Sequence, residues 1–219
     1  MEIEQTLVII KPETSVRRYV STKVLSSFIK EEFNIYGFKR FKVPRTLAEK
    51  HYEIHQGKFF YEWLVNYISS TPIITLIVEG EDAISRVRNL LGATLVQKAA
   101  PDSLRGKYGV WGGANVAHAS DGKETARNEI NLWLTAGNLD KDTLSNSLVD
   151  QYISEWSRDP IDQTKELQSV CLRLNQDPNL KQEVYNEILK IINSEAREEE
   201  PKDIKNLTRL LVQNALPND

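Results

Sequence analysis

The chain has 219 residues with 28 Lys and Arg against 31 Asp and Glu, giving a formal charge of −3 and a pI near 5.8. At 40% hydrophobic and 27% charged it reads as an ordinary folded protein, not as a disordered or collagenous one. No apolar run approaches the roughly 18 residues that span a bilayer, the start carries no basic-then-apolar leader, and the single cysteine, Cys171, excludes a disulfide framework.

A reducing, cytoplasmic location is the resulting expectation. The charge is unevenly spread: residues 1–134 carry a net +3 and residues 135–219 a net −6, and nine of the ten glycines lie in the first stretch. Two segments of different character are expected, 1–134 and 135–219.

In chain order, residues 6–10 form a short apolar run stopped by Lys11-Pro12, as expected of a buried strand. Val16, Val20, Val24, Leu25 and Phe28 recur at helical spacing, and residues 33–43 read as extended. Residues 47–52 and 59–68 read as helices, the second with Phe60, Leu64, Tyr67 and Ile68 on one face. Residues 72–78 are a strand, and Asp82 is the expected N-cap of a helix that Gly92 ends. Residues 93–114 show no period, and a loop that long inside a folded unit is usually functional. A short fourth strand over 115–118 precedes a helix that Asp121 and Glu124 would open as a capping box. The order predicts an α+β sheet with helices on one face.

The second segment reads as all-α. Leu144, Leu148, Tyr152 and Trp156 step by four. Asp159-Pro160 and Asp177-Pro178 are expected starts of two further helices, and a last helix carries Leu207, Leu210, Leu211 and Ala215.

His118 stands at the end of the fourth strand, just ahead of a helix N-terminus whose amides favour anions. With Lys11 ending the first strand, and Arg88, Thr94 and Arg105 elsewhere, the residues compose a phosphate site with an imidazole nucleophile. His51 and His55 read as helix-surface or partly buried histidines, and Trp133, Trp156 and Cys171 as packing residues.

The stretches QTLVIIKPETSVRR, HYEIHQGKFFYEWLVNYISSTP, VRNLLGAT, SLRGKYGV and NVAHASDG resemble, in order and spacing, the successive motifs of nucleoside diphosphate kinases. The resemblance covers residues 4–134. It implies a ferredoxin-like βαββαβ antiparallel sheet and a ping-pong phosphotransferase that works through a phosphohistidine. Carried over by position, His118 would be the nucleophile, with Ser120 and Glu129 supporting it. Lys11, Tyr52, Arg88, Thr94, Arg105 and Asn115 would hold phosphates and ribose, and Phe60, with Leu64 nearby, would meet the base. Mg²⁺ would arrive with the nucleotide, nucleoside di- and triphosphates would be the ligands, and a homo-oligomer would be the assembly.

The chain also departs from the family pattern. Ile54 replaces an acidic residue that helps orient the imidazole, and Gly112 replaces a branched residue that closes over the base. Arg18 replaces a glycine, Ala114 an arginine and Ala119 a glycine, and Leu95-Val96 stands for Asn-Pro. These departures keep a second reading open, in which the chain is a nucleotide-binding regulatory or assembly module whose extension docks another protein. The acidic extension is not expected to bind nucleic acid, which needs clustered cations.

Overall fold

The computed structural model describes residues 2–141 and 145–217. Four strands, β1 (Ile3–Ile10), β2 (Asn34–Phe41), β3 (Ile73–Glu81) and β4 (Ala117–Ala119), make one antiparallel sheet in the order β2-β3-β1-β4. Strand β1 is central. Thr6 faces Val78 across one ladder, and Ile9 faces His118 across the other. Its run of apolar residues is continuous because both faces are covered: Leu7 and Ile9 enter one core and Val8 and Ile10 the other. Pro12 ends the strand as the sequence predicts and opens the short helix α1 (Pro12–Ser15).

On one face, helices α2 (Arg18–Lys30) and α5 (Ala83–Leu91) pack Val24, Leu25, Phe28, Val87 and Leu91 against the sheet. The second face is covered too. Helices α3 (Arg45–His51), α4 (Tyr61–Ile68) and α7 (Lys123–Thr135) supply Leu47, Val65, Tyr67 and Trp133. The long loop over 93–114 contains a 3-10 turn at Val96–Lys98 and the short helix α6 (Leu104–Tyr108), whose Ser103 cap accepts from Gly106 N–H at 3.2 Å.

The extension is helical: α8 (Ser145–Trp156), α9 (Thr164–Gln176), α10 (Lys181–Glu195) and α11 (Pro201–Ala215). Leu144, which begins the expected spacing, lies outside the described residues. Helix α8 joins the α2 side, with Val149 and Tyr152 in that core. Helices α9 to α11 join the other, so that Leu167, Leu174, Ile188, Leu207 and Leu211 share one core with Leu7, Val65 and Trp133. Cys171 is free and buried there, and burial pushes its thiol pKa up to about 12. Among the described residues no helix is long and apolar enough to cross a membrane.

Three expected caps differ. Asp82 takes the N-cap position with a left-handed backbone (φ 48°) and makes no capping bond; Glu4 of β1 accepts the Ile84 N–H instead, at 3.2 Å. Helix α7 begins at Lys123 behind Gly122, without a capping-box bond. Asp159-Pro160 does not open α9, because Asp162 accepts from Thr164 N–H at 3.0 Å and starts the helix there.

The same Asp162 belongs to an ion-pair group that ties the extension to α1 and α2. The Arg17 guanidinium is fully buried, with Glu195 at 2.7 Å, Asp162 at 3.0 Å and the Thr164 hydroxyl at 2.6 Å. Arg18 meets Glu199 at 3.4 Å and lies 4.6 Å from the centre of the Trp156 ring. Arg40 also pairs with Glu199, and Lys42 with Asp203 at 2.7 Å. Removing one member of a buried pair strands the other's charge away from water. Arg17→Ala should therefore lower the unfolding free energy by about 3–5 kcal/mol, seen as a lower urea midpoint with an unchanged slope. A loss below about 1 kcal/mol, the range of an exposed pair, would refute that role.

Candidate active site

Strand β4 is only three residues long and carries His118 on the strand next to β1. The imidazole Nε2 lies 3.0 Å from both carboxylate oxygens of Glu129 on α7. Ser120 donates to the same carboxylate at 2.5 Å, and its hydroxyl oxygen accepts from Leu7 N–H at 3.3 Å. Burial alone would raise the Glu129 pKa; the hydrogen bond and charge of His118, then His51 and Ser120, together hold it below the ordinary carboxylate value. An ionised Glu129 requires a proton on Nε2, so Nδ1 of His118 is left with a free lone pair. Ile54 is 74% exposed, and among the described residues Glu129 is the hydrogen-bond partner of the His118 ring.

The backbone leading to His118 is strained. Val116 has φ 76°, a left-handed value that a β-branched residue rarely takes. It is held there by Glu13, a fully buried residue of α1 whose carboxylate accepts from Val116 N–H at 2.8 Å and from the Tyr67 hydroxyl. The Val116 carbonyl in turn accepts from Lys11 N–H at 2.9 Å.

The cations sit around this corner. Lys11 Nζ donates to Asn115 Oδ1 at 2.6 Å and to the Gly113 carbonyl at 2.9 Å. Its burial, offset in part by Glu13 and deepened by Arg105, lowers its pKa to about 8. The Arg105 guanidinium donates to the carbonyls of Gly92 (2.7 Å), Ala117 (2.8 Å) and Asn115 (3.1 Å). Burial and the neighbouring Arg88 lower its pKa to about 10, so it stays charged at neutral pH. Arg88 is exposed and reaches the Ala119 carbonyl at 3.5 Å. Asn115 donates to the Thr94 carbonyl, while the Thr94 residue itself is exposed.

Tyr52 is buried, its ring 6.5 Å from that of His118, and its hydroxyl has no hydrogen-bond partner among the described residues. Phe60, half-buried at the start of α4, packs edge-on to His55 at 5.4 Å, and His55 stacks on Tyr52 at 6.3 Å. Leu64 follows one turn later and is core, 9% exposed. Lys11, Arg105, Asn115 and the Thr94 backbone are joined by hydrogen bonds, as are His118, Glu129 and Ser120, while Tyr52 and Phe60 adjoin through ring contacts with His118 and His55.

His51 is more deeply buried than the helix-surface or partly buried residue that the sequence predicts. It is buried, its ring 4.7 Å from that of His118, and its Nδ1 accepts from Trp133 Nε1–H at 3.2 Å. Burial first, and then His118, lower its pKa to about 3, so it remains neutral beside the His118 ring. Its adjacency to Tyr52 in the motif was the only sequence signal. His51, His118 and Glu129 offer ligand-type atoms within 4.8 Å of one another. Glu129 is already engaged by His118 and Ser120, and His51 Nδ1 by Trp133, so the set reads as an orienting network.

A family model described as nucleoside diphosphate kinase matches residues 4–139. The nucleoside diphosphate kinase of Pyrococcus furiosus is 47% identical over 135 residues, covering 60% of this chain and 83% of that protein. That of Pelotomaculum thermopropionicum is 42% identical over 137 residues, covering 63% of this chain and 91% of its own. Among solved structures, the nucleoside diphosphate kinase of Aquifex aeolicus has a TM-score of 0.57 at 38% identity, covering 60% of this chain and 94% of that one. The halophilic enzyme of Halobacterium salinarum in complex with CDP has a TM-score of 0.59 at 34% identity, covering 68% and 99%.

With Lys11 near a pKa of about 8, its charge is lost as pH rises through that value, and an anionic ligand loses a partner. The dissociation constant for ATP should rise between about pH 7 and pH 9, and Lys11→Arg, charged throughout, should flatten that rise. Equal pH profiles for the two proteins would refute the assignment.

Proposed function

Since this chain belongs to the nucleoside diphosphate kinase family, and so is a phosphotransferase that passes the γ-phosphate of a nucleoside triphosphate to a nucleoside diphosphate, we propose that Nδ1 of His118 carries the phosphate between the two. The observation that supports this reading above all is the pairing of Nε2 with both oxygens of Glu129, which leaves Nδ1 as the free nucleophilic atom.

In the first half-reaction Nδ1 attacks the γ-phosphorus. An N–P bond forms as the bond to the β–γ bridging oxygen breaks, and the diphosphate leaves with that electron pair. The ring gains positive charge, which the Glu129 carboxylate stabilises while it keeps the Nε2 proton; Ser120 fixes that carboxylate. A second diphosphate then attacks the phosphohistidine and reverses the sequence.

Phosphoryl transfer needs alignment and charge neutralisation more than covalent help from the protein. We assign Lys11, Arg88 and Arg105 to the phosphate charge, the orphan Tyr52 hydroxyl, Thr94 and Asn115 to phosphate and ribose, and Phe60, backed by Leu64, to the base. Members of the family use a nucleotide accompanied by a divalent cation. We assign Mg²⁺, which would neutralise phosphate charge when bound; Glu129 is engaged with the imidazole, which supports a cation arriving on the substrate.

The family binds nucleotides and is generally oligomeric, and we extend both to this chain as nucleoside di- and triphosphate binding by a homo-oligomer. A cytoplasmic location accords with the one cysteine being free and buried. We assign 1–134 as the catalytic unit and 135–219 as an extension. Its inward faces are used within the chain's own core, which supports an internal role over the docking of a second protein.

Incubation with ATP should add one phosphate to the intact protein, acid-labile and alkali-stable, removed by a diphosphate chase and absent in His118→Ala. Glu129→Gln keeps a side chain of the same shape without the charge, and its labelling rate should fall by about tenfold to a hundredfold. Undiminished label in His118→Ala would overturn the proposal.

A further inference from the structure

The last helix of the extension ends against the loop that precedes the nucleophile. Asn214 of α11 uses both ends of its carboxamide there. Nδ2 donates to the Trp111 carbonyl at 2.7 Å, and Oδ1 accepts from Gly113 N–H at 3.3 Å. The two backbone groups flank Gly112, whose φ of 49° is left-handed. A Cβ on Gly112 would lie 3.3 Å from Asn214 Oδ1, so the carboxamide would have to shift by a few tenths of an ångström, and 3.4 Å from Nδ2, an ordinary contact. The left-handed backbone favours glycine at 112, and the carboxamide packs closely over it.

The clamp leads directly to a phosphate-site cation. Gly113, held by its N–H on Asn214, presents its carbonyl to Lys11 Nζ at 2.9 Å, and the same ammonium donates to Asn115. The helix carrying Asn214 is itself fixed. Trp63 Nε1 donates to the Leu210 carbonyl at 3.0 Å, and Leu211 and Ala215 are buried in the shared core. The stack of Trp63 on Tyr67, with centroids 4.6 Å apart, continues to Glu13, which holds Val116.

From this continuity we infer that Asn214 is a positioning residue for the transfer reaction, setting the Trp111–Gly113 turn so that Lys11 is aimed into the phosphate site. The extension thereby completes the nucleotide site from within the same chain. This rests on the assignment of Lys11 to the phosphates made above. Asn214 touches no reacting atom, so its effect falls on nucleotide affinity more than on the rate at saturation.

Three variants of the full chain test it, with phosphohistidine formation followed at varied ATP in single turnover. Asn214→Ala should raise the ATP concentration for half-maximal labelling about tenfold, the worth of two modest hydrogen bonds, with the saturated rate within about threefold. Asn175→Ala is the control for general loosening: Asn175 ties α9 to the Ala215 carbonyl at 3.2 Å without touching the turn, and its half-saturation should stay within about twofold. If Asn214→Ala lowers the thermal midpoint, Asn214→Gln serves in its place, since the longer arm cannot reach both backbone groups. An unchanged half-saturation in the Asn214 variants, or an equal rise in Asn175→Ala, would overturn the inference. Lys11→Ala separates the two readings: wild-type half-saturation there would remove the phosphate assignment itself, and this inference with it.

Discussion

One buried carboxylate holds together the corner on which the site is built. Glu13 has no access to water and uses its oxygens on Val116 N–H and the Tyr67 hydroxyl. The first contact keeps Val116 in a backbone conformation that its branched side chain disfavours, at a cost of order 1–3 kcal/mol that the surrounding contacts must offset. That twist lets Asn115 turn back toward Lys11 while His118, two residues after Val116, enters the ladder with β1. The second contact ties the corner to α4, and so to Trp63 and the extension. Burying a carboxylate without partners is costly, and both of its oxygens have them.

The extension behaves as part of the catalytic unit's own packing. Helices α9 to α11 place their apolar stripes in the core that also holds Leu7, Val65 and Trp133, while α8 closes over α2. Burial of Arg17 between Glu195 and Asp162 adds direction to that packing, because an ion pair away from water tolerates little misalignment. Two departures from the family pattern fall at the contacts. Arg18, in place of a glycine, reaches Glu199 and Trp156; Gly112, in place of a branched residue, makes room for Asn214. Read alone, each looks like erosion of a motif. In the folded chain each is an accommodation to the added helices. For Leu95-Val96 the structure offers no such explanation.

Much was legible beforehand because local chemistry is written locally. The unbroken apolar run of β1 and the proline that ends it both act through their own backbone or their immediate neighbours. The caps were less legible, since capping is a competition: Glu4, 80 residues away from Ile84 in sequence, takes the amide that Asp82 was expected to satisfy. The depth of burial of His51 and its place beside His118 were not legible for a related reason. A lone helical histidine carries no mark of burial, and only the meeting of α3 with α7 and β4 places it between Trp133 and His118.

By itself the sequence determined the sheet-and-helix order, the family and the division into a basic and an acidic segment, because residue type and spacing carry these. Tertiary structure alone decided which imidazole nitrogen is free, how Val116 is held, why residue 112 is a glycine and where the extension packs. These depend on groups far apart along the chain, such as Glu13 with Val116, Arg17 with Glu195 and Asn214 with Gly113. No local pattern records such pairings; they exist only once the core has brought the segments together.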